Sequence, residues 1–408
     1  MPRTVVIAMS NVHTNSFTMT TSKNTQASQD SIRLSRLLTY LESDHENPAL
    51  LSDACSVAFD VQRFDVVDVL LEQARQRALL TSRLLNLDGL RAMAKGEFRR
   101  ALDAFESIPT DDADASVAFN IAYAWAMLTE YDSANARLND DVLRCVPGAA
   151  ALKIRVLLHL GRLNEAIESG RRFANADPET AGALAVALLD NNDIEEARTY
   201  AAKAGNSVDG LTVGGLIALE KGETDEALHS LRSALEARPS HARAQLGYGL
   251  ALLARREFAD STAALDVAAN TYLTHAGAWI AAGWAHLFND DPTCARHRFE
   301  EAVRVDRGFA EGHGGLAVVA CYEQRFDDAR RLIDLSTRLD THCLSAAFAS
   351  SLIEGATSGD RQASRKNLDA LADQPLDRHG RSLLSLMAAY GARSNPASHD
   401  RTELSKQK

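Results

Sequence analysis

Small and large apolar residues recur along most of the chain in a fixed order, separated by short polar stretches. One small residue, usually alanine, returns at a nearly constant interval and serves as a marker. A large apolar residue stands three before and four after most markers, and a small residue stands twelve before most of them. Spacings of three and four place side chains on one helix face, so the pattern predicts repeated pairs of closely packed helices. The markers are Val67, Ala101, Ala134, Ala166, Ala197, Ala227, Ser261, Ala295, Ala329 and Ala363.

One copy carries the pattern most completely. It contains Trp279, Gly283, Ala295, Phe299 and Ala302 in a single register. A period of about 34 residues with small, aromatic and alanine positions at these offsets resembles the tetratricopeptide repeat family, in which each unit is a helix, a tight turn and a second helix. The resemblance extends over residues 48–375.

The resemblance implies an all-α fold, a right-handed α-solenoid superhelix of about nine to ten helix-turn-helix repeats with a C-terminal capping helix. We expect a disordered N-terminal segment at residues 1–30 and an N-terminal capping helix at 31–47. The repeat array follows at 48–375, with a tenth copy that is visible mainly through its alanines. A capping helix at 376–392 and a disordered tail at 393–408 complete the predicted order.

Some copies depart from the pattern. Ile154 is a bulky residue where the other copies have a small one, and Gly170 is small where most have a large one. The interval between markers is shortest from Ala197 to Ala227, next to a glycine-rich stretch at 205–215. We interpret that stretch as the weakest contact in the array, because glycine adds flexibility and little packing.

Charge and cysteine content narrow the class of protein. The formal net charge of −11 argues against general binding to nucleic acids or anionic membranes. Five cysteines without a C-x-x-C pair favour a reducing compartment, so a cytoplasmic location is predicted. We find no apolar run of about 18 residues, so no membrane insertion is predicted.

Motifs for catalysis are scarce. The glycine clusters at 247–249 and 312–315 fall inside predicted helices and follow no strand, so packing explains them better than phosphate binding. Cys294 and His297 share a helix face, but two further metal ligands are missing at suitable spacing. The prediction is therefore a protein that is not an enzyme, with no catalytic residues, no cofactor and no metal.

The family resemblance places a binding groove on the first helices, at repeat positions 2, 5, 9, 12 and 13. Aromatic residues and arginines occupy many of these positions, and both are common in binding hot spots. Some family members hold a terminal carboxylate with a lysine and asparagines; here Asn120 matches, but the lysine is absent. The residues predicted to bind a partner in the groove are Asn86, Phe119, Tyr123, Arg155, Arg243, Trp284, Phe288 and Tyr322.

Three functional hypotheses follow. The first is a non-enzymatic protein-interaction scaffold, an adaptor or co-chaperone that binds a protein or peptide segment in the concave groove, extended or helical. The alternative is a regulatory sensor whose superhelix binds a peptide or small ligand and bends at Gly205–Gly215. An enzyme with dispersed catalytic residues has the least support. The sequence leaves the oligomeric state and the identity of the partner open.

Overall fold

The computed structural model describes residues 20–175 and 177–357, and in these ranges every regular element is a helix. Residues cluster into two compact units, Met1–Thr180 and Ala181–Lys408. The predicted all-α class of helix-turn-helix repeats is confirmed. The boundary between the units falls inside the eleventh helix, and each unit is described by itself. The predictions for residues 1–19, the end of the array at 358–375, the closing helix at 376–392 and the tail lie outside the described residues.

The first unit begins with a long helix and continues with paired helices. Its elements are α1 (Thr20–Ser43), α2 (Pro48–Asp60), α3 (Phe64–Gln76), α4 (Ser82–Ala94), α5 (Phe98–Glu106), a 3-10 turn (Thr110–Asp112), α6 (Ala115–Met127), α7 (Tyr131–Arg137), α8 (Asp140–Cys145), α9 (Ala149–His159) and α10 (Leu163–Phe173).

Helix α11 (Pro178–Asp190) contains the boundary, and the second unit continues the same alternation. Its further elements are α12 (Ile194–Ala204), α13 (Val208–Glu220), α14 (Thr224–Ala237), α15 (Ala242–Ala254), α16 (Phe258–Thr271), α17 (Ala276–Phe288), α18 (Pro292–Val305), α19 (Ala310–Tyr322), α20 (Phe326–Leu339) and α21 (Leu344–Thr357).

The N-terminal segment corrects one prediction. Residues 20–30 were expected to be disordered, but α1 begins at Thr20 and runs without a break to Ser43. The stretch contains no glycine or proline, and extending an existing helix adds one hydrogen bond for each residue fixed. Its polar composition therefore does not prevent helix formation. The apolar side of α1 packs on α2 through Leu34 and Leu41, which are buried.

A single turn geometry joins the two helices of each described repeat. Its middle residue adopts a left-handed conformation with φ between 60° and 79°, five positions before each marker. The following amide donates to a carbonyl five residues back at 2.9–3.0 Å, the bond of a Schellman motif. The turn therefore recurs with the sequence period. The left-handed residues are Gln62, Gly96, Thr129, Gly161, Asn192, Gly222, Arg256, Asp290 and Gln324.

Close helix contact explains the small residues. All nine markers from Val67 to Ala329 are fully buried. A Cβ built on Gly283 would lie 2.6 Å from the Phe299 ring, and one on Gly249 would lie 2.5 Å from Leu265 Cγ. The large residue four after the marker thus packs directly over the small residue twelve before it. The glycine clusters noted in the sequence lie within α15 and α19 and serve this packing, as predicted.

Helix length explains the shorter intervals between markers. Helix α12 has 11 residues and three connecting residues follow it, whereas α14 has 14 residues and four follow it. These differences account for the short interval from Ala197 to Ala227. In the third repeat, the second helix is split into α7 and α8 at Asn139, whose side chain caps α8 by accepting hydrogen bonds from two backbone amides.

Candidate partner-binding surface

The first helices of successive repeats touch one another within each unit, as α4 and α6 or α17 and α19 do. Side chains from equivalent positions of these helices therefore share one face. The predicted partner-binding residues all lie on first helices: Asn86 on α4, Phe119 and Tyr123 on α6, and Arg155 on α9 in the first unit. Arg243, Trp284, Phe288 and Tyr322 belong to the second.

Two adjacent first helices of the first unit, α4 and α6, carry side chains that are not fully buried. Tyr123 is half-buried, with its ring 6.5 Å from that of the buried Phe119. Met127, one turn further along α6, is 47% exposed. Asn86 is half-buried, and its Oδ1 is buried without a hydrogen-bond partner. This face therefore combines an apolar centre with an amide oxygen that the protein itself leaves unpaired.

Charges of both signs border this face. Arg155 donates to Glu179 at 3.1 Å, and Arg83 donates to Asp53 at 2.7 Å. All four side chains retain contact with solvent. Exposed pairs of this kind contribute about 0–1 kcal/mol to stability, so a partner's charged groups could compete for them at little cost.

The second unit places two of the predicted residues in its core. Trp284 is 1% exposed and Phe288 is 8% exposed. The Trp284 ring lies 6.2 Å from that of Phe299 and 5.8 Å from that of Phe348, so the side chain fills the space between helices. The sequence pattern assigned it to the groove because its helix position matches, but neighbouring helices cover that position here. Replacing Trp284 with alanine would therefore test stability rather than partner binding.

Arg243 forms a mostly buried ion pair with Asp190. Its two guanidinium nitrogens donate to the two carboxylate oxygens at 2.7 and 3.1 Å. Burial lowers the pKa of Arg243, but Asp190 and Tyr272 outweigh it and raise that pKa. The pair links α15 to the end of α11. Tyr322 is half-buried at the end of α19.

Comparison with known proteins supports the repeat assignment. A family model described as tetratricopeptide repeat matches residues 213–272, which contain α14, α15 and α16 and most of α13. Residues 213–272 are therefore tetratricopeptide repeats. None of the curated proteins compared with the sequence matches it.

Several solved structures are similar to this chain at low identity. The protein YrrB, described as a TPR protein with an unusual peptide-binding site, is 18% identical with a TM-score of 0.37, covering 46% of this chain and 97% of its own. MamA from Desulfovibrio magneticus is 18% identical with a TM-score of 0.35, covering 40% of this chain and 95% of its own. IFIT1, solved with m7Gppp-AAAA, is 12% identical with a TM-score of 0.49, covering 80% of this chain and 85% of its own.

The structure adds one residue that the sequence interpretation left out of the predicted surface. Met127 occupies repeat position 13 and is exposed beside Tyr123. Its position alone suggested a groove residue, but a methionine in an apolar helix is more often part of the core. Among the helices of residues 20–175 and 177–357, none is long and apolar enough to cross a lipid bilayer.

Proposed function

We propose that this protein is a tetratricopeptide repeat adaptor or co-chaperone, and that the first-helix face of its first unit binds a segment of a partner protein. The repeat is generally a non-catalytic interaction scaffold, which supports a binding role. The observation that favours this face is the accessible apolar pair Tyr123 and Met127 on α6, next to α4, where the buried Oδ1 of Asn86 has no hydrogen-bond partner.

Each group on this face suits one feature of a peptide. Tyr123 offers a large, rigid apolar surface that loses little entropy when it is covered. Asn86 can accept a hydrogen bond from a backbone amide of the bound segment after a rotation about χ2, which is a soft torsion. Arg155 can exchange its half-buried partner Glu179 for a carboxylate on the segment. The expected ligand is a segment with at least one apolar anchor and one acidic residue.

Peptide selection tests the proposal while the natural partner is unidentified. A random peptide library is selected on the full chain, and the enriched peptides are titrated against variants by calorimetry. Tyr123→Ala should weaken binding about 10-fold or more, because the loss of a hot-spot aromatic ring exceeds about 1.4 kcal/mol. Asn86→Leu should weaken binding to a smaller extent, through the loss of one hydrogen bond.

The matched control is Val69→Ala, which removes an exposed apolar side chain from a second helix, α3. This variant should bind the enriched peptides with the same affinity as the unmodified chain. Enriched peptides that bind Tyr123→Ala and the unmodified chain equally would contradict the proposal, as would a selection that enriches nothing. A single-stranded oligonucleotide titrated in the same way should not bind, given the net charge of −11.

A further inference from the structure

One repeat of the second unit carries an unusual set of side chains at its turn. His286 lies in the last turn of α17, Asp291 caps α18, and Cys294 follows in the first turn of α18. The amide of Asp291 donates to the carbonyl of His286 at 2.9 Å, which is the turn bond found in every described repeat. The shared turn geometry therefore brings the three side chains to one place.

The other repeats provide an internal comparison. At the position of His286 the other eight described repeats have only apolar residues, and at the position of Cys294 none of them has a cysteine. Packing therefore does not require a histidine here, and a buried polar ring lowers stability unless its nitrogens are paired. The apolar residues at the position of His286 are Ala58, Ala92, Trp125, Leu157, Leu188, Ala218, Leu252 and Ala320.

One ring nitrogen of His286 is paired and the other is not. The residue is 8% exposed, and its Nε2 lies 3.2 Å from Asp266 Oδ2. Because an ionised carboxylate only accepts hydrogen bonds, Nε2 is the donor in this contact, and in the neutral ring the lone pair is then on Nδ1. Nδ1 is buried without a hydrogen-bond partner. It faces Asp291 Oδ2 at 3.7 Å, which is too long for a hydrogen bond.

Asp266 is itself held in place. Arg298 donates to both of its carboxylate oxygens, at 2.7 and 2.9 Å. A carboxylate that accepts from the outer nitrogen of a histidine is the usual support of a histidine that binds a metal through its other nitrogen. The arrangement fixes both the tautomer and the ring orientation of His286.

We propose that His286 Nδ1, the Asp291 carboxylate and the Cys294 sulfur bind a zinc ion at this turn. The three ligand atoms lie within 4.8 Å of one another. Zinc bonds of about 2.0–2.3 Å in tetrahedral geometry separate the ligands by about 3.3–3.8 Å, so closing the set requires a movement of about 1 Å. The side chains of Asp291 and Cys294 are only half-buried, which gives the ion access and leaves a fourth position for water.

The donor set favours zinc over the other common divalent ions. An imidazole, a carboxylate and a thiolate together suit zinc, whereas calcium and magnesium prefer oxygen ligands alone. Binding displaces the thiol proton of Cys294, which passes to solvent, and no electron is transferred. The ion would connect the end of α17 to the start of α18.

Cobalt titration tests the site, because cobalt(II) replaces zinc in such sites and reports its ligands in absorbance. The full chain is first treated with a chelator. It should then bind one cobalt ion with a thiolate-to-cobalt charge-transfer band and the visible bands of tetrahedral cobalt, and zinc should displace the cobalt. Cys294→Ser should abolish the charge-transfer band. His286→Leu should weaken binding at least 10-fold, and leucine occupies the same position in three other repeats.

Two further variants separate ligation from folding. Asp291→Asn keeps a residue that can cap α18 and should still weaken cobalt binding. Asp266→Asn should reduce affinity about 10- to 100-fold without removing the thiolate band, as expected for a positioning residue. The controls are His297→Ala and Cys145→Ser, which remove exposed side chains and should change nothing. The proposal is wrong if the unmodified chain shows no thiolate band, or if the band survives in Cys294→Ser.

Discussion

At the scale of single residues, the absence of a Cβ atom decides whether two helices can meet. Gly215 illustrates this, because a Cβ there would lie 2.6 Å from Cγ of Leu231, which is fully buried. Gly214 precedes it in the same helix, and nothing lies within 4 Å of a Cβ built there. The two adjacent glycines therefore differ: Gly215 allows close packing, whereas Gly214 has no packing partner.

The two glycines give a matched pair of substitutions. Gly215→Ala should lower the free energy of unfolding by about 1–3 kcal/mol, because the added methyl group overpacks the contact with Leu231. Gly214→Ala should raise it by about 0.5–1 kcal/mol, because alanine loses less backbone entropy in a helix. Chemical denaturation followed by circular dichroism measures both values. Shifts in the same direction would contradict the packing explanation.

At the scale of elements, the turn between paired helices is set by backbone conformation more than by residue type. A left-handed residue recurs in all nine described turns, yet glycine occupies only Gly96, Gly161 and Gly222 of these positions. Thr129 is the least suited of the others, since a β-branched residue strongly disfavours φ near 63°. The Schellman hydrogen bond and the helix packing on both sides hold it there.

We expect Thr129→Gly to raise the free energy of unfolding by about 1 kcal/mol, because it removes the steric strain of a left-handed threonine. The reverse change, Gly222→Thr, should lower it by a similar amount. Nothing lies within 4 Å of a Cβ built on Gly222, so the backbone alone determines that result. Thermal and chemical unfolding of both variants measures the difference, and no effect at either site would refute the strain argument.

The contacts between small and large side chains of paired helices could be predicted from the sequence. Markers, helix pairs and close glycine contacts all follow from spacing, because side-chain periodicity fixes which residues share a helix face. The start of α1 at Thr20 could not be predicted, because the polar residues in its first part show no helical spacing of apolar side chains. The break at Asn139 was also missed, although Asn139-Asp140-Asp141 is a capping signal that could have revealed it.

At the scale of the whole molecule, contacts run mainly between elements that are close in the sequence. Within each unit, the helices pack chiefly against their repeat partners and the helices of the adjacent repeats. A single substitution in such a chain should lower stability mainly near the substituted repeat, because each repeat is stabilised by its own contacts and those with its neighbours.

Hydrogen exchange with mass spectrometry checks this locality. Gly89→Ala places a methyl group 2.4 Å from the Phe105 ring, so protection should fall in α4, α5 and the adjacent helices. Gly283→Ala, the matching change in the second unit, should lower protection around α17 and α18. Protection that falls throughout the chain in both variants would show cooperative unfolding instead.

The sequence by itself determined the repeat, the helix pairs and the marker contacts, because the spacings that carry them are a local property of the chain. The tertiary structure decided which of the predicted binding residues are accessible: Tyr123 reaches the surface, whereas Trp284 at the same repeat position is buried. It also brought His286 together with Cys294, which the sequence had paired with the exposed His297. Exposure and side-chain proximity depend on how neighbouring helices cover each position, and a one-dimensional pattern does not contain that information.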